Sequence, residues 1–294
     1  MADIPRSYIE HFTEGINAVS ADAQEKLRRE LLALDYSDMT QAINKMVRIM
    51  EQYCAVTSEA AAQLAAEFYR GMSITQTGDD FEAEAYSAHL ADGTEMAVRG
   101  IAQLGVNGEM LAMIDQLLQR VDYEAKRAAG DTVMQNAHND PRDVKFARVP
   151  TGAETCPWCI ALASRGFVYS SAEAAGIDGH YHAHCDCRIV PSWGGGVEGY
   201  DPGTLYDEYL GFKGSLGKTS REAISLEDAL TLGEAHLENT AEVMRYIDNA
   251  TSFENLKRRV EVLNAELPYH HFTLDEQAQL RERLYKKRDA LLKS

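Results

Sequence analysis

Through the first 137 positions, apolar residues recur at intervals of three and four, the period of helices that bury one stripe and turn the other face to water. The stripe Met39, Ile43, Met46, Met50, Tyr53 predicts one helix. It starts at Asp38, whose carboxylate can accept first-turn amides, with Gln41 three residues on as the return half of a capping box. Cys54 continues the neighbouring stripe Ile43, Met46, Val47, Met50, where a thiol serves as a small buried apolar group. A second helix is predicted to start at Ser58, to carry Leu64 and Phe68, and to end near Gly71 as a left-handed C-terminal residue. A third segment carries Met110, Met113, Ile114, Leu117, Leu118 and Val121 before turning polar at Tyr123. Ala, Leu, Glu, Gln and Met dominate this region and Gly/Pro punctuation is sparse, so residues 1–137 are expected to form a helical N-terminal domain.

Between 138 and 195 the period changes. Three short β-like runs appear, VKFARVP, GFVYSS and RIVPSW, with few residues left over for a core of their own. Trp158 and Trp193 flank this stretch and are expected to cover its edges. After Trp193, GGGVEG and YDPG read as a turn-forming linker over 196–222. Helical spacing returns in a C-terminal region, 223–294. Ser225 to Asp228 forms one capping box, and Thr273 to Glu276 forms another that opens a helix through Leu280, Leu284 and Leu291. Lys286, Lys287 and Arg288 fall in the last turns of that helix, where they complement its dipole. The fold class expected is mainly α with a small α+β zinc-knuckle-like module in the middle, between a helical N-terminal bundle and a helical C-terminal region.

Four of the five cysteines lie in the middle stretch, Cys156 and Cys159 in TCPWC, then Cys185 and Cys187 in HYHAHCDC beside His180, His182 and His184. Two sulfurs separated by two residues can face one ion, and a second Cys/His group some two dozen residues later can close a tetrahedron. Zinc bound by thiolates in small modules contributes about 10–16 kcal/mol, enough to staple a segment whose core is too small to hold it. Two other chemistries use the same residues. A Cys-Pro-Trp-Cys pair suits thiol-disulfide exchange, although such motifs follow a strand in a βαβ series that does not continue here. A structural disulfide needs an oxidising compartment, and MADIPRSYIEHFTEGINAV has neither the basic start nor the long apolar core of an export signal or membrane anchor.

The formal net charge of −17 argues against a nucleic-acid surface as the chain's main role. Charge is unevenly spread, with eleven acids against four bases from Asp201 to Glu254 and nine bases against six acids from Lys257 onward. No His-x-Glu stands ahead of the cysteine pair as a zinc deaminase requires. HExxH, Gly-x-Ser-x-Gly and phosphate-loop spacings are missing as well. One enzymatic alternative remains, a nuclease in which zinc scaffolds a hairpin and a spare histidine such as His184 activates water, served by Arg142, Lys145, Arg148, Arg165 and Arg188. A further alternative is a helical adaptor that uses the metal module only as a staple.

The order Arg148-Val-Pro-Thr-Gly, Glu154-Thr-Cys-Pro-Trp-Cys159, Leu162-Ala-Ser-Arg-Gly166-Phe-Val-Tyr169, Tyr181-His182, Cys185, Cys187, Val190-Pro191 resembles the minor capsid and head morphogenesis proteins of tailed bacteriophages. Within that group it resembles the MuF-like proteins of phages from Gram-positive hosts. The resemblance covers about 145–193. It implies a structural virion component that acts in procapsid assembly or DNA delivery near the portal, located in the capsid interior or portal region and in host cytoplasm during assembly. The implied partners are the phage portal and capsid proteins, with packaged DNA as a further candidate contact and neither a membrane nor a small-molecule substrate. The family pattern places a histidine three residues before a Cys-x-Cys pair, here His182. The implied structural zinc ligands are drawn from Cys156, Cys159, His182, Cys185 and Cys187, with His180 and His184 as substitutes. Four protein ligands close the shell around zinc, which leaves no position for an activated water, so no catalytic residue is expected.

Overall fold

A computed structural model describes residues 3–87, 91–152, 155, 157–170, 187–215, 217–219 and 273–292, with scattered positions between 243 and 260. The chain is mostly helical with one small two-stranded sheet. Four long helices come first: α1 (Arg6–Leu32), α2 (Met39–Thr77), α3 (Ala91–Val106) and α4 (Met110–Asn139). They are followed by β1 (Lys145–Pro150), α5 (Pro157–Ala163), β2 (Cys187–Ser192), α6 (Pro202–Ser215) and α7 (Leu274–Leu291).

The stripes account for the bundle. On α1 the buried positions Ile9, Phe12, Ile16, Ala23, Leu27 and Leu31 keep helical spacing, and α1 lies antiparallel to α4. Ser20 donates to Asp122 at 2.9 Å, the Gln24 amide to the Leu118 carbonyl at 2.9 Å, and Arg28 to Asp115 at 2.8 Å. Asp38 caps α2 as expected, its carboxylate accepting the Gln41 amide at 3.1 Å.

The helix start expected at Ser58 and the end expected near Gly71 do not occur: α2 runs unbroken through both to Thr77, ending at Gly78 with φ 77°. Ser58 is buried mid-helix, and its position explains the misreading. Among the described residues, the interior of the bundle is divided into two apolar cores. One contains Ile16, Ala61 and Ala125, the other Ala23, Cys54 and Val121. Ser20, Thr57, Ser58 and Glu124, all buried, lie at the seam between them. Glu124 is held there by Arg120 at 2.5 Å and Arg127 at 2.9 Å, so the polar break at Tyr123 is likewise internal and α4 continues to Asn139. Alanines 61, 62, 65 and 66 let α2 approach its neighbours closely, and Phe68 stacks on Phe12 with centroids 4.2 Å apart.

Of the three β-like runs, two pair. β1 and β2 are antiparallel, with Arg148 opposite Ile189 and Pro150 opposite Cys187. The third run contributes a single bridge, Tyr169 to Phe146. The hairpin has no core of its own because it shares the first core of the bundle: Phe146, Val149, Ile189 and Val190 are buried in one cluster with Phe12, Ala61 and Ala128.

Trp193 does not cover a metal-module edge. It docks on the bundle, its ring 5.2 Å from Tyr69 of α2 and its Nε1 donating to Asp140 at 3.2 Å. The same carboxylate accepts from Tyr69 at 3.1 Å and from Arg142 at 2.6 Å, while Gln76 accepts the Trp193 amide at 2.9 Å. The Trp158 side chain lies outside the described residues.

The segment expected to be a linker is partly structured. Ile4 forms a parallel bridge with Val197, exchanging backbone bonds of 2.9 Å with Gly196 and Glu198. Asp201 then caps α6, accepting the Gly203 amide at 2.9 Å, with Pro202 at the first helical position. The Asp-Pro pair predicts a helix start as readily as a turn, which is why composition alone pointed to a linker. The Ser225 box falls outside the described residues. The Thr273 box is complete, with Thr273 and Glu276 bonded reciprocally. No helix among the described residues is long and apolar enough to cross a membrane.

Candidate functional site

Strand alternation sorts the hairpin residues into two faces. The register puts Phe146, Arg148 and Pro150 on one face with Cys187, Ile189 and Pro191. The other face, with Ala147, Val149, Arg188 and Val190, turns to the bundle, where Arg188 donates to Asn17 of α1 at 3.0 Å. On the first face, α5 brings in Cys159.

Two tyrosines hold α5 in place. Its last carbonyls accept turn bonds from Arg165 and Gly166, and each takes a second bond from a tyrosine: Tyr169 donates to the Leu162 carbonyl at 2.6 Å and Tyr200 to that of Ala163. Burial pushes both phenols above their ordinary pKa, so they remain donors. Gly166, at φ 70°, turns the chain so that Tyr169 can return to Phe146.

The result is a dry sulfur pair. Cys159 is 0% and Cys187 2% exposed, and their Sγ atoms are 3.6 Å apart. A disulfide needs about 2.05 Å, so both are free thiols. Two thiolates at about 2.3 Å from one tetrahedral zinc stand roughly 3.7–3.8 Å apart. The observed spacing therefore fits a shared ion. Arg148, 0% exposed, points its Nη1 at both sulfurs, 3.4 Å from Cys187 and 3.9 Å from Cys159.

Of the five expected ligands the structure brings together Cys159 and Cys187. Cys156, His182 and Cys185 lie outside the described residues, as do His180 and His184. Among the described residues no group of three metal-ligating side chains occurs. In sequence, Cys156 stands three residues before Cys159 and Cys185 two residues before Cys187.

Of the five basic residues expected to serve a nuclease site, Arg165 is exposed and the other four are engaged elsewhere. Arg148 and Arg188 are buried, Arg142 is tied to Asp140 and lies over Trp193, and Lys145 pairs with Asp143 at 2.8 Å. Arg148 as a partner of the sulfurs was not foreseen. Its signal was present in the run KFARVP, an arginine between apolar neighbours in a strand that turns out to be covered on both sides.

A family model described as VG15 protein matches residues 3–211. The Gene 15 protein of Mycobacterium phage L5 is 36% identical, with 23% of this chain and 36% of that protein covered. The Gene 15 protein of Mycobacterium phage D29 is 31% identical, with 27% and 40% covered. The matched region spans well under half the length of either relative. No solved structure matches the chain. The family match runs from the Ile4 bridge through the bundle, the hairpin and its sulfur pair into α6, so the chain belongs to the VG15 protein family, a family with phage-encoded members.

Proposed function

We propose that the chain is a structural minor capsid protein of a tailed bacteriophage, MuF-like in its middle segment, that acts in procapsid assembly or DNA delivery near the portal and contains a structural zinc site. The observation that carries this reading is the buried Cys159–Cys187 pair at 3.6 Å, a spacing that suits two thiolates on one tetrahedral ion. It falls in the segment that resembles head morphogenesis proteins, and membership of a family with phage-encoded proteins supports the virion role. Cys159 and Cys187 would hold the ion together with ligands from Cys156, His182 and Cys185. Bound there, zinc would cross-link β2 to α5 and supply folding free energy; with four protein ligands it would offer no open position for chemistry.

Phage particles test the role. The chain is expected to co-purify with procapsids or mature virions together with the portal and capsid proteins, and its absence from both overturns the assignment. Elemental analysis tests the metal, with about one zinc per chain expected in the purified protein and loss of that zinc in Cys159→Ser, Cys187→Ser and Cys156→Ser. Full occupancy retained in any one variant removes that cysteine from the ligand set.

A further inference from the structure

Arg148 is among the largest fully buried side chains in the protein. A guanidinium N–H beside sulfur binds a thiolate more strongly than a neutral thiol, which is only a weak acceptor. Cysteine binds metal as the thiolate, and zinc held by three or four thiolates leaves a net negative site. Strand alternation aims Arg148 at this site: it shares a face with Cys187, diagonally across the hairpin, and its Nη1 lies 3.4 Å from that sulfur and 3.9 Å from Cys159 on α5.

We infer that Arg148 is a positioning residue of the metal site, its guanidinium bridging the Cys159 and Cys187 sulfurs so that it balances thiolate charge and holds the pair at the separation one tetrahedral ion requires. The inference rests on the zinc reading above. Partners outside the ligand shell act on a metal by orienting the ligands and tuning their charge, and removing such a partner commonly weakens retention 10–100-fold. A lysine would keep the charge but not the place of the Nη1 atom that meets both sulfurs, and its ammonium is more strongly hydrated, so it is expected to substitute only in part.

The test uses the full-length protein and times zinc transfer to a chromogenic chelator. Arg148→Met, close in shape but uncharged, is expected to release zinc about 10–100-fold faster than wild type. Arg148→Lys, which keeps the charge and is the more tolerant substitution for folding, is expected to release it at an intermediate rate. Arg188→Met is the control: Arg188 is also buried and donates to the Cys187 backbone carbonyl at 3.3 Å, but its side chain lies on the opposite face of the same hairpin, bonded to Asn17 and away from both sulfurs, so its loss should lower stability and change zinc release far less than Arg148→Met does. Release at the wild-type rate from Arg148→Met, or from Arg148→Lys should the methionine variant not fold, overturns the inference and leaves the zinc reading standing. Equal acceleration in the Arg188 control overturns it too, because the effect would then be general loosening. Wild-type protein purified without zinc overturns the metal reading and this inference with it.

Discussion

Asp140 shows how one side chain can join two parts of a structure. It follows α4 directly and accepts from Tyr69 of α2, from Trp193 after β2 and from Arg142. Burial pushes its pKa up, but the bonds from Arg142 and Tyr69 outweigh that and hold the carboxyl below its ordinary range. A lowered folded-state value means that the stabilisation is complete above the unfolded-state value of about 4 and is lost as pH falls through the folded value. Asp140→Asn should therefore cost about 2–4 kcal/mol at pH 7. The gap between variant and wild type in urea should narrow at pH 3, and an equal gap at both pH values would contradict this account. Cys54 behaves oppositely. Burial, helped by the charge of Glu124, pushes its thiol up to about 12. Without thiolate at neutral pH it should resist a maleimide until the protein unfolds, and labelling of Cys54 in the folded protein at pH 7 would count against its placement in the core.

At the scale of elements, the two glycines of α2 separate backbone strain from side-chain crowding. An added Cβ would meet nothing within 4 Å at either Gly71 or Gly78, so only conformation distinguishes them. Gly78 ends the helix at φ 77°, where an L-residue costs about 1–2 kcal/mol. Gly71 is helical, where alanine gains about 0.5–1 kcal/mol. Gly78→Ala should lower the urea midpoint and Gly71→Ala should raise it; shifts of the same sign would show that α2 does not run as described. The α7 capping box offers a local test. Thr273→Ala removes the bond from the Glu276 amide at 3.1 Å and should cost about 1 kcal/mol, read as faster amide exchange in the first turn of α7 and little change elsewhere.

Across the whole molecule, the shared core makes the hairpin and bundle interdependent. Phe146 and Val190 are buried in the same cluster as Phe12, Phe68 and Ala128, and the Ile4 bridge ties the N-terminus to the segment after β2. Far-ultraviolet dichroism, dominated by the bundle helices, and Trp fluorescence, which includes Trp193 at the joint, should report coincident urea transitions. An earlier fluorescence transition would show the hairpin unfolding as a separate unit.

The elements were largely legible in sequence where a local rule sufficed. Helical spacing marked the bundle, Asp38 and the Thr273 box marked two helix starts, and the hairpin strands stood out by texture. A break in polarity was the unreliable signal. Ser58 and Glu124 looked like ends or surfaces because sequence cannot distinguish a polar residue facing water from one placed at a seam between two cores. Of the candidate site, Cys159 and Cys187 were legible as members of a Cys/His-rich stretch, since residue type and spacing are local properties. That Cys187 meets Cys159, that Arg148 lies against both, and that Trp193 belongs to the bundle depend on strand register and on the packing of segments distant in sequence. Sequence by itself determined which residues could form helices and which could bind a metal. Tertiary structure decided which of them meet, because burial and register arise only when the hairpin closes over the helices that complete its core.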